Sequence, residues 1–299
     1  MTESRDPTKV LVGVDGSEQN HAALAWAMRE ALVRDCELIA VHAWHLSGLV
    51  YYAPGYLPIA SDELIEQSTK LLQAAVAEVP GHDEVKLETR VVQGGARAVL
   101  SRVAAEPGVR MLVVGTRGRG RAASVLGSVS HALTHHCPKP LVVVPSNQYD
   151  AVTPSSINRI VVGVDGSPTA AAALRWAAGE AAVHGALLEV VTAWSSAASR
   201  AEMHAEELSG QSPEAAARFL LRKSVERIVP GTGGVNCVAR EGYAPTVLLD
   251  MAESADLLVV GSRGRGMATE LILGSTSHQC VHRSPVPVVI VPPEEDGHG

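Results

Sequence analysis

Aromatic side chains are scarce: one Phe, four Trp and five Tyr in 299 residues. A core built on large rings is excluded. Yet 46% of the residues are apolar, so the core has to come from Ala, Val and Leu, side chains that suit helices packed closely on a sheet. Cysteine is sparse too. Cys36, Cys137, Cys237 and Cys280 stand far apart with no C-x-x-C, which argues against a structural zinc site, and a chain of this length needs no disulfide framework. Positive charge does not dominate. With 25 Lys and Arg against 32 Asp and Glu the net charge is −7, which excludes a basic nucleic-acid surface but not a nucleotide site, where a few local donors suffice. No apolar run reaches membrane-spanning length, and the opening MTESRDPTKV has no hydrophobic signal region. A cytoplasmic protein without membrane insertion is the expectation.

Several catalytic signatures are also missing. There is no G-x-x-x-x-G-K-[ST], and so no phosphate-loop lysine. The turn after the first apolar run reads Val14-Asp15-Gly16-Ser17 where a dinucleotide fold would carry G-x-G-x-x-G. Kinase signatures and a G-x-S-x-G nucleophile are absent, and no nucleophile–base or carboxylate pair repeats with catalytic spacing. No catalytic residue and no metal ligand set is expected.

What the chain does contain, it contains twice. Lys9-Val10-Leu11-Val12-Gly13-Val14-Asp15-Gly16-Ser17 returns as Arg159-Ile160-Val161-Val162-Gly163-Val164-Asp165-Gly166-Ser167. Trp26 and Trp44 return as Trp176 and Trp194; Gly94 aligns with Gly242, Gly115 with Gly261 and Gly127 with Gly274. Two copies of one domain are expected, over 1–147 and 157–299, joined by the polar, turn-rich SNQYDAVTPSS segment.

Within each copy, continuously apolar runs alternate with longer amphipathic stretches. Strands are expected near 9–14, 37–43, 86–92, 111–115 and 140–144, then near 159–164, 187–193, 235–239, 256–261 and 287–291. Helices are expected near 18–34, 61–79, 97–106 and 125–136, then near 168–183, 213–228, 244–253 and 270–283. Strands apolar throughout, separated by helices, imply an α/β class with a parallel sheet covered on both faces. With right-handed crossovers, the expected architecture is two tandem doubly wound, Rossmann-like five-stranded sheets of order 3-2-1-4-5. Ligands of such sheets bind beyond the carboxyl ends of the strands where the winding reverses, here between strands 1 and 4. The ends of those strands are Asp15 and Gly115 in one copy, Asp165 and Gly261 in the other.

The most distinctive stretch of each copy follows strand 4: GTRGRGRAASVLGSVS at 115–130 and GSRGRGMATELILGSTS at 261–277. Glycines let the backbone turn tightly and approach a ligand, and free N–H groups at a helix start favour an anion such as phosphate. A strand-to-helix connection rich in turn formers is the plainer alternative. Asp15 and Asp165 can accept hydrogen bonds from ribose hydroxyls or cap the following helix, where Ser17 and Ser167 also compete. Arg117, Arg119 and Arg121, with Arg263 and Arg265, either neutralise phosphate charge or are simply solvated. His131 and His135, matched by His278 and His282, have metal-compatible spacing but no third ligand, and read as polar residues on a helix flank.

The pattern Gly-x2-Gly-x9-Gly-(Ser/Thr) after an apolar strand, in a unit opening with Val-Gly-Val-Asp-Gly-Ser, resembles the universal stress protein family. The closer likeness is to its ATP-binding branch in tandem, two-domain form, as in actinobacteria, and it covers nearly the whole chain twice. The resemblance implies the universal stress protein fold and one adenine nucleotide, ATP with Mg, in each domain. It implies contacts from Gly13, Val14, Asp15, Ala43, Gly115, Thr116, Gly118, Gly127, Ser128, Val129 and Ser130 in the first domain. In the second it implies Gly163, Val164, Asp165, Ala193, Gly261, Ser262, Gly264, Gly274, Ser275, Thr276 and Ser277. The aspartates would meet ribose and adenine, Ala43 and Ala193 the base through their backbone, and the glycine loops the ribose and phosphates. The first loop has Gly118-x8-Gly127, one residue short of the family spacing, so the stronger site is expected in the second domain. The family likeness further implies pairing of the two units through the last strands, 140–144 and 287–291, and homodimerisation.

The expected function is that of an ATP-binding regulatory protein of the stress response, switching with nucleotide occupancy or presenting a surface to a protein partner that the sequence does not identify. Two alternatives stand beside it. One is slow ATP hydrolysis or self-phosphorylation on Ser128, Ser130, Ser275 or Thr276. The other is an interaction module that binds no nucleotide.

Overall fold

The structure, a computed structural model, describes residues 8–45, 61–116, 126–146, 156–195, 212–231, 235–264 and 273–294. The chain divides into two compact units, Met1–Pro154 and Ser155–Gly299. The first runs β1 (Lys9–Gly13), α1 (His21–Val33), β2 (Glu37–Trp44), α2 (Ser61–Ala77), β3 (Leu87–Gln93), α3 (Ala96–Ala104), β4 (Val109–Gly115), α4 (Ser128–His136) and β5 (Leu141–Val144). The second repeats it as β6 (Arg159–Gly163), α5 (Pro168–His184), β7 (Leu187–Trp194), α6 (Pro213–Ile228), β8 (Asn236–Glu241), α7 (Ala244–Ala252), β9 (Leu257–Gly261), α8 (Ser275–Arg283) and β10 (Val288–Val291). Among the described residues, no helix is long and apolar enough to cross a membrane.

All strand pairs within a unit are parallel. The order is β3-β2-β1-β4-β5 in the first unit and β8-β7-β6-β9-β10 in the second. Both are the 3-2-1-4-5 order expected from the alternation of runs. The central strands are buried on both faces, as parallel strands under two helical layers must be. Val10, Leu11 and Val12 of β1 and Met111, Leu112 and Val113 of β4 have no exposed surface. Ala23 and Ala27 of α1, and Ala173 and Ala177 of α5, are equally buried. Their single methyl groups bring each helix close to the sheet and explain how a core so poor in aromatics closes.

The element boundaries differ from expectation at three helix starts, each for a local reason. In the first unit residues 18–20 form a 3-10 turn and α1 begins only at His21. Ser17 Oγ donates to Asp15 Oδ1 (2.7 Å) and so does not cap the helix. In the second unit Ser167 Oγ accepts from Ala170 N–H (3.2 Å) and Pro168 opens α5 directly. Helices α4 and α8 begin at Ser128 and Ser275, because Gly127 and Gly274 are extended, with ψ of 149° and 146°. Residues 125 and 270–272, also expected to be helical, lie outside the described residues. The alignment of Gly94 with Gly242 is matched in the backbone. Their φ values are 143° and 146°, and each N–H donates to the last strand-2 carbonyl, that of Trp44 (2.8 Å) or Trp194 (2.9 Å).

Candidate functional site

The site of the second unit is assembled from two chain reversals. The first follows β6. Val164 N–H still donates to Val191 O (2.8 Å), so the chain stays in the sheet for one residue past Gly163. Asp165 then turns, its Oδ1 accepting from Ser167 N–H (2.9 Å). Gly166 takes φ 82°, a left-handed value that favours glycine. The aspartate thus shapes the turn, and the helix cap falls to Ser167.

The second reversal follows β9. Ser262 N–H donates to Val291 O (2.8 Å), and Ser262 O accepts from Gly274 N–H (2.8 Å), so the loop leaves and re-enters at one point. Ser277 Oγ donates to Gly261 O (2.6 Å) and pins the first turn of α8 to the end of β9. Thr169 Oγ1 at the start of α5 donates to Arg263 O (2.6 Å), which draws the glycine loop onto the first reversal. Contact there is close: a Cβ on Gly264 would lie 2.7 Å from Asp165 Oδ2. The strand-end aspartate and the glycine loop, nearly one hundred residues apart in sequence, flank one crevice.

Between them lies a cavity of about 550 Å³, in the size range of small-molecule sites. Its walls are chemically divided. Val191, Ala193, Ala244 and Leu248 form an apolar side; Arg263, Gly264 and the start of α8 from Gly274 to His278 form a polar one. The first N–H groups of a helix have no intrahelical acceptor and carry its positive dipole end. Asp165 is the carboxylate of the lining, and Arg263 and His278 are its basic side chains. Apolar lining together with anion-seeking donors suits a ligand with an apolar group and a negatively charged tail.

Of the residues expected here, Gly163, Val164, Asp165, Ala193, Gly261, Gly264, Gly274, Ser275, Thr276 and Ser277 line the cavity. Ser262 does not; its backbone closes the loop instead. Gly163 also has a packing role, since a Cβ on it would sit 2.8 Å from Leu248 Cδ1. Ala170, Val191, Ala244, Leu248, Val260, Leu273 and His278 line the cavity without having been singled out as ligand contacts. Val191 could have been found, because it shares a strand face with Ala193 two residues on. The others are ordinary helix or strand positions whose place follows from the topology. Arg263, left open between phosphate contact and solvent, belongs to the lining.

The first unit repeats the same fastenings. Asp15 Oδ1 accepts from Ser17 N–H (2.9 Å), Val14 N–H donates to Val41 O (2.8 Å) and Gly127 N–H to Thr116 O (2.7 Å). Ser130 Oγ donates to Gly115 O (2.6 Å), Ala43 sits opposite Val92 in β2, and a Cβ on Gly13 would meet Leu100 Cδ1 at 2.9 Å. Ser128 and Val129 open α4. Asn20 replaces Ala170, and its Nδ2 donates to Gly13 O (3.1 Å). Gly118, Arg117, Arg119 and Arg121 lie outside the described residues, as does Arg265 of the second loop. The histidine pairs are in ring contact, with centroids 5.0 Å apart for His131–His135 and 4.3 Å for His278–His282. Among the described residues no third His, Cys, Asp or Glu joins either pair as a metal ligand.

Comparison with known proteins gives a consistent picture. The model of the Universal stress protein family matches residues 7–145 and again 156–292. A universal stress protein of Mycobacterium tuberculosis is 32% identical over 310 residues, covering 97% of this chain and 99% of its own. Another from the same organism is 30% identical over 314 residues, covering 97% and 96%. Among solved structures, a universal stress protein from Archaeoglobus fulgidus matches with a TM-score of 0.69 at 22% identity, covering 95% of this chain and 98% of its own; at that identity the likeness speaks to the fold.

Proposed function

The chain belongs to the universal stress protein family, and from that premise we propose that it is a regulatory protein whose second unit binds ATP, with Mg, in the cavity between Asp165 and the 261–277 loop. The observation that carries this reading is the divided wall of that cavity, apolar at Ala193, Ala244 and Leu248 and rich in anion donors at Arg263 and the start of α8. The adenine would lie against the apolar side and the ribose beside Asp165. The phosphates would reach the N–H groups of Ser275 and Thr276. Each of these groups binds or orients; none is a nucleophile paired with a base, so nucleotide occupancy would act as a signal and not as the start of a turnover. The first unit shares the aspartate turn and the loop fastenings and would hold a second, weaker nucleotide, because its loop is one residue shorter.

Isothermal calorimetry of the full chain with ATP and Mg tests the proposal. Saturable binding is expected, lost at the second site on Gly274→Val; no heat and no retention in equilibrium dialysis at millimolar ATP would overturn it. A second reading has one observation behind it. Ser275 and Thr276 line the cavity, whereas the hydroxyl of Ser277 is already committed to Gly261 O. Slow phosphoryl transfer to Ser275 or Thr276 would show as label retained from γ-labelled ATP, and its absence after long incubation rules that reading out.

A further inference from the structure

His278 stands one turn into α8 and lines the polar end of the cavity beside Ser275 and Thr276. Its backbone N–H donates to Gly274 O (2.9 Å), so it rides on the helical turn that the loop closure at Ser262 holds in place. Its ring lies 4.3 Å, centroid to centroid, from that of His282 one turn further on. The first unit carries the same device, with His131 N–H on Gly127 O (2.8 Å) and its ring 5.0 Å from His135.

We propose that His278 is a phosphate-contacting residue of this cavity and that ligand binding there is coupled to proton uptake. The proposal rests on the cavity being a nucleotide site. It deepens that reading by naming a side chain that separates nucleotides from nucleosides and ties affinity to pH.

The surrounding charges favour this placement. Arg263 and Asp165 are the other charged side chains of the lining, and Asp165 Oδ1 is already engaged by Ser167 N–H. Helix α7, packed on α8, carries the exposed Asp250 and is preceded by Tyr243, whose hydroxyl accepts from Gln279 Nε2 (2.7 Å). Strand β10, which also packs on α8, has no titratable side chain, and α8 itself adds Cys280, His282 and Arg283. Imidazole is the side chain that ordinarily changes charge between about pH 5 and pH 8. A protonated ring donates a charge-assisted hydrogen bond to phosphate that a neutral one matches poorly.

The test is calorimetry of the full chain with Mg-ATP and with adenosine, at about pH 6 and about pH 8, each in two buffers of different ionisation enthalpy. His131→Gln and His131→Gln/His278→Gln proteins are compared, so that the equivalent histidine of the first unit does not contribute. With His278 present, ATP affinity at the second site is expected to fall roughly tenfold more between the two pH values than without it, with net proton uptake at the lower pH. The titration of ATP's own phosphates is common to both proteins and cancels in that difference. Adenosine affinity is expected to be the same in both. Equal pH profiles and equal proton uptake for ATP overturn the proposal while leaving the nucleotide site standing. A chain that binds ATP at neither pH overturns the nucleotide reading, and this inference with it.

Discussion

Gly264 and Asp165 meet so closely that a Cβ on the glycine would lie 2.7 Å from Asp165 Oδ2. Asp165 cannot simply swing aside, because its Oδ1 holds the Ser167 N–H that shapes the turn after β6. The glycine loop and the strand-end aspartate are therefore one mechanical unit, and several expectations follow from its geometry.

Gly264→Ala should displace the Asp165 carboxylate and open the turn it holds. A stability loss of about 1–3 kcal/mol is expected from such overpacking, together with weakened ATP binding at the second site. Gly274→Ala is the control. Its Cβ would meet nothing closer than Arg263 Cα at 3.4 Å, an ordinary contact, and its backbone is in a region open to alanine. Urea denaturation and calorimetry on the two variants should separate clearly.

Gly261→Ala is expected to be the more damaging change to the fold. The new methyl would lie 2.8 Å from Thr169 C and 3.0 Å from Ala170 N, both backbone atoms at the start of α5. Backbone cannot rotate out of the way, so β9 and α5 must part, at a cost towards or above the upper end of the same range, about 3 kcal/mol. A circular dichroism melt would show it without any ligand present.

Ser277→Ala and Ser275→Ala should divide stability from binding. The buried Ser277 hydroxyl donates to Gly261 O (2.6 Å), so its removal strands a buried acceptor and should cost about 1–3 kcal/mol. Ser275 is exposed and lines the cavity. Its loss should leave stability within about 0.5 kcal/mol while reducing ATP affinity.

Alkaline pH should weaken the fold partly through Cys280. Burial pushes this thiol from 9.0 up to about 12. The folded state thus favours the neutral thiol. Its contribution is complete below pH 9.0 and is lost as pH rises towards the folded value. Cys280→Ala should flatten the fall in stability across that window relative to the unsubstituted protein. The native thiol should also resist alkylation near neutral pH and react once the chain is unfolded.

The fold was legible because its signal is strong and local. Runs such as Ile160-Val161-Val162 and Leu257-Leu258-Val259-Val260 have one physical reading in an alternating α/β chain, a strand covered on both faces. The duplication supplied a check on every element. Legibility failed at helix starts, where a single side chain decides. Ser17 and Ser167 are the same residue in the same motif, yet one donates to its aspartate and the other caps a helix, because Pro168 begins α5 where Glu18 does not begin α1. The glycine loop could be marked as special, and its partner aspartate too, since both break the apolar pattern at strand ends. Ala244, Leu248 and Leu273 could not, being apolar residues in an apolar chain.

The sequence by itself determined the class, the duplication, the strand order and the stretches that matter, because hydrophobic periodicity and glycine placement act over a few residues. Only the tertiary structure decided how closely they meet and what else joins them, since the strand order alone already put the ends of β6 and β9 at one crevice. Parallel crossovers carry Asp165 and Gly264 to the same end of the sheet, and Thr169 Oγ1 on Arg263 O draws them into contact. They also turn a histidine that looked like helix-flank polarity into part of a cavity wall. Such proximities arise from the path of the backbone through space, and no local pattern of residues encodes them.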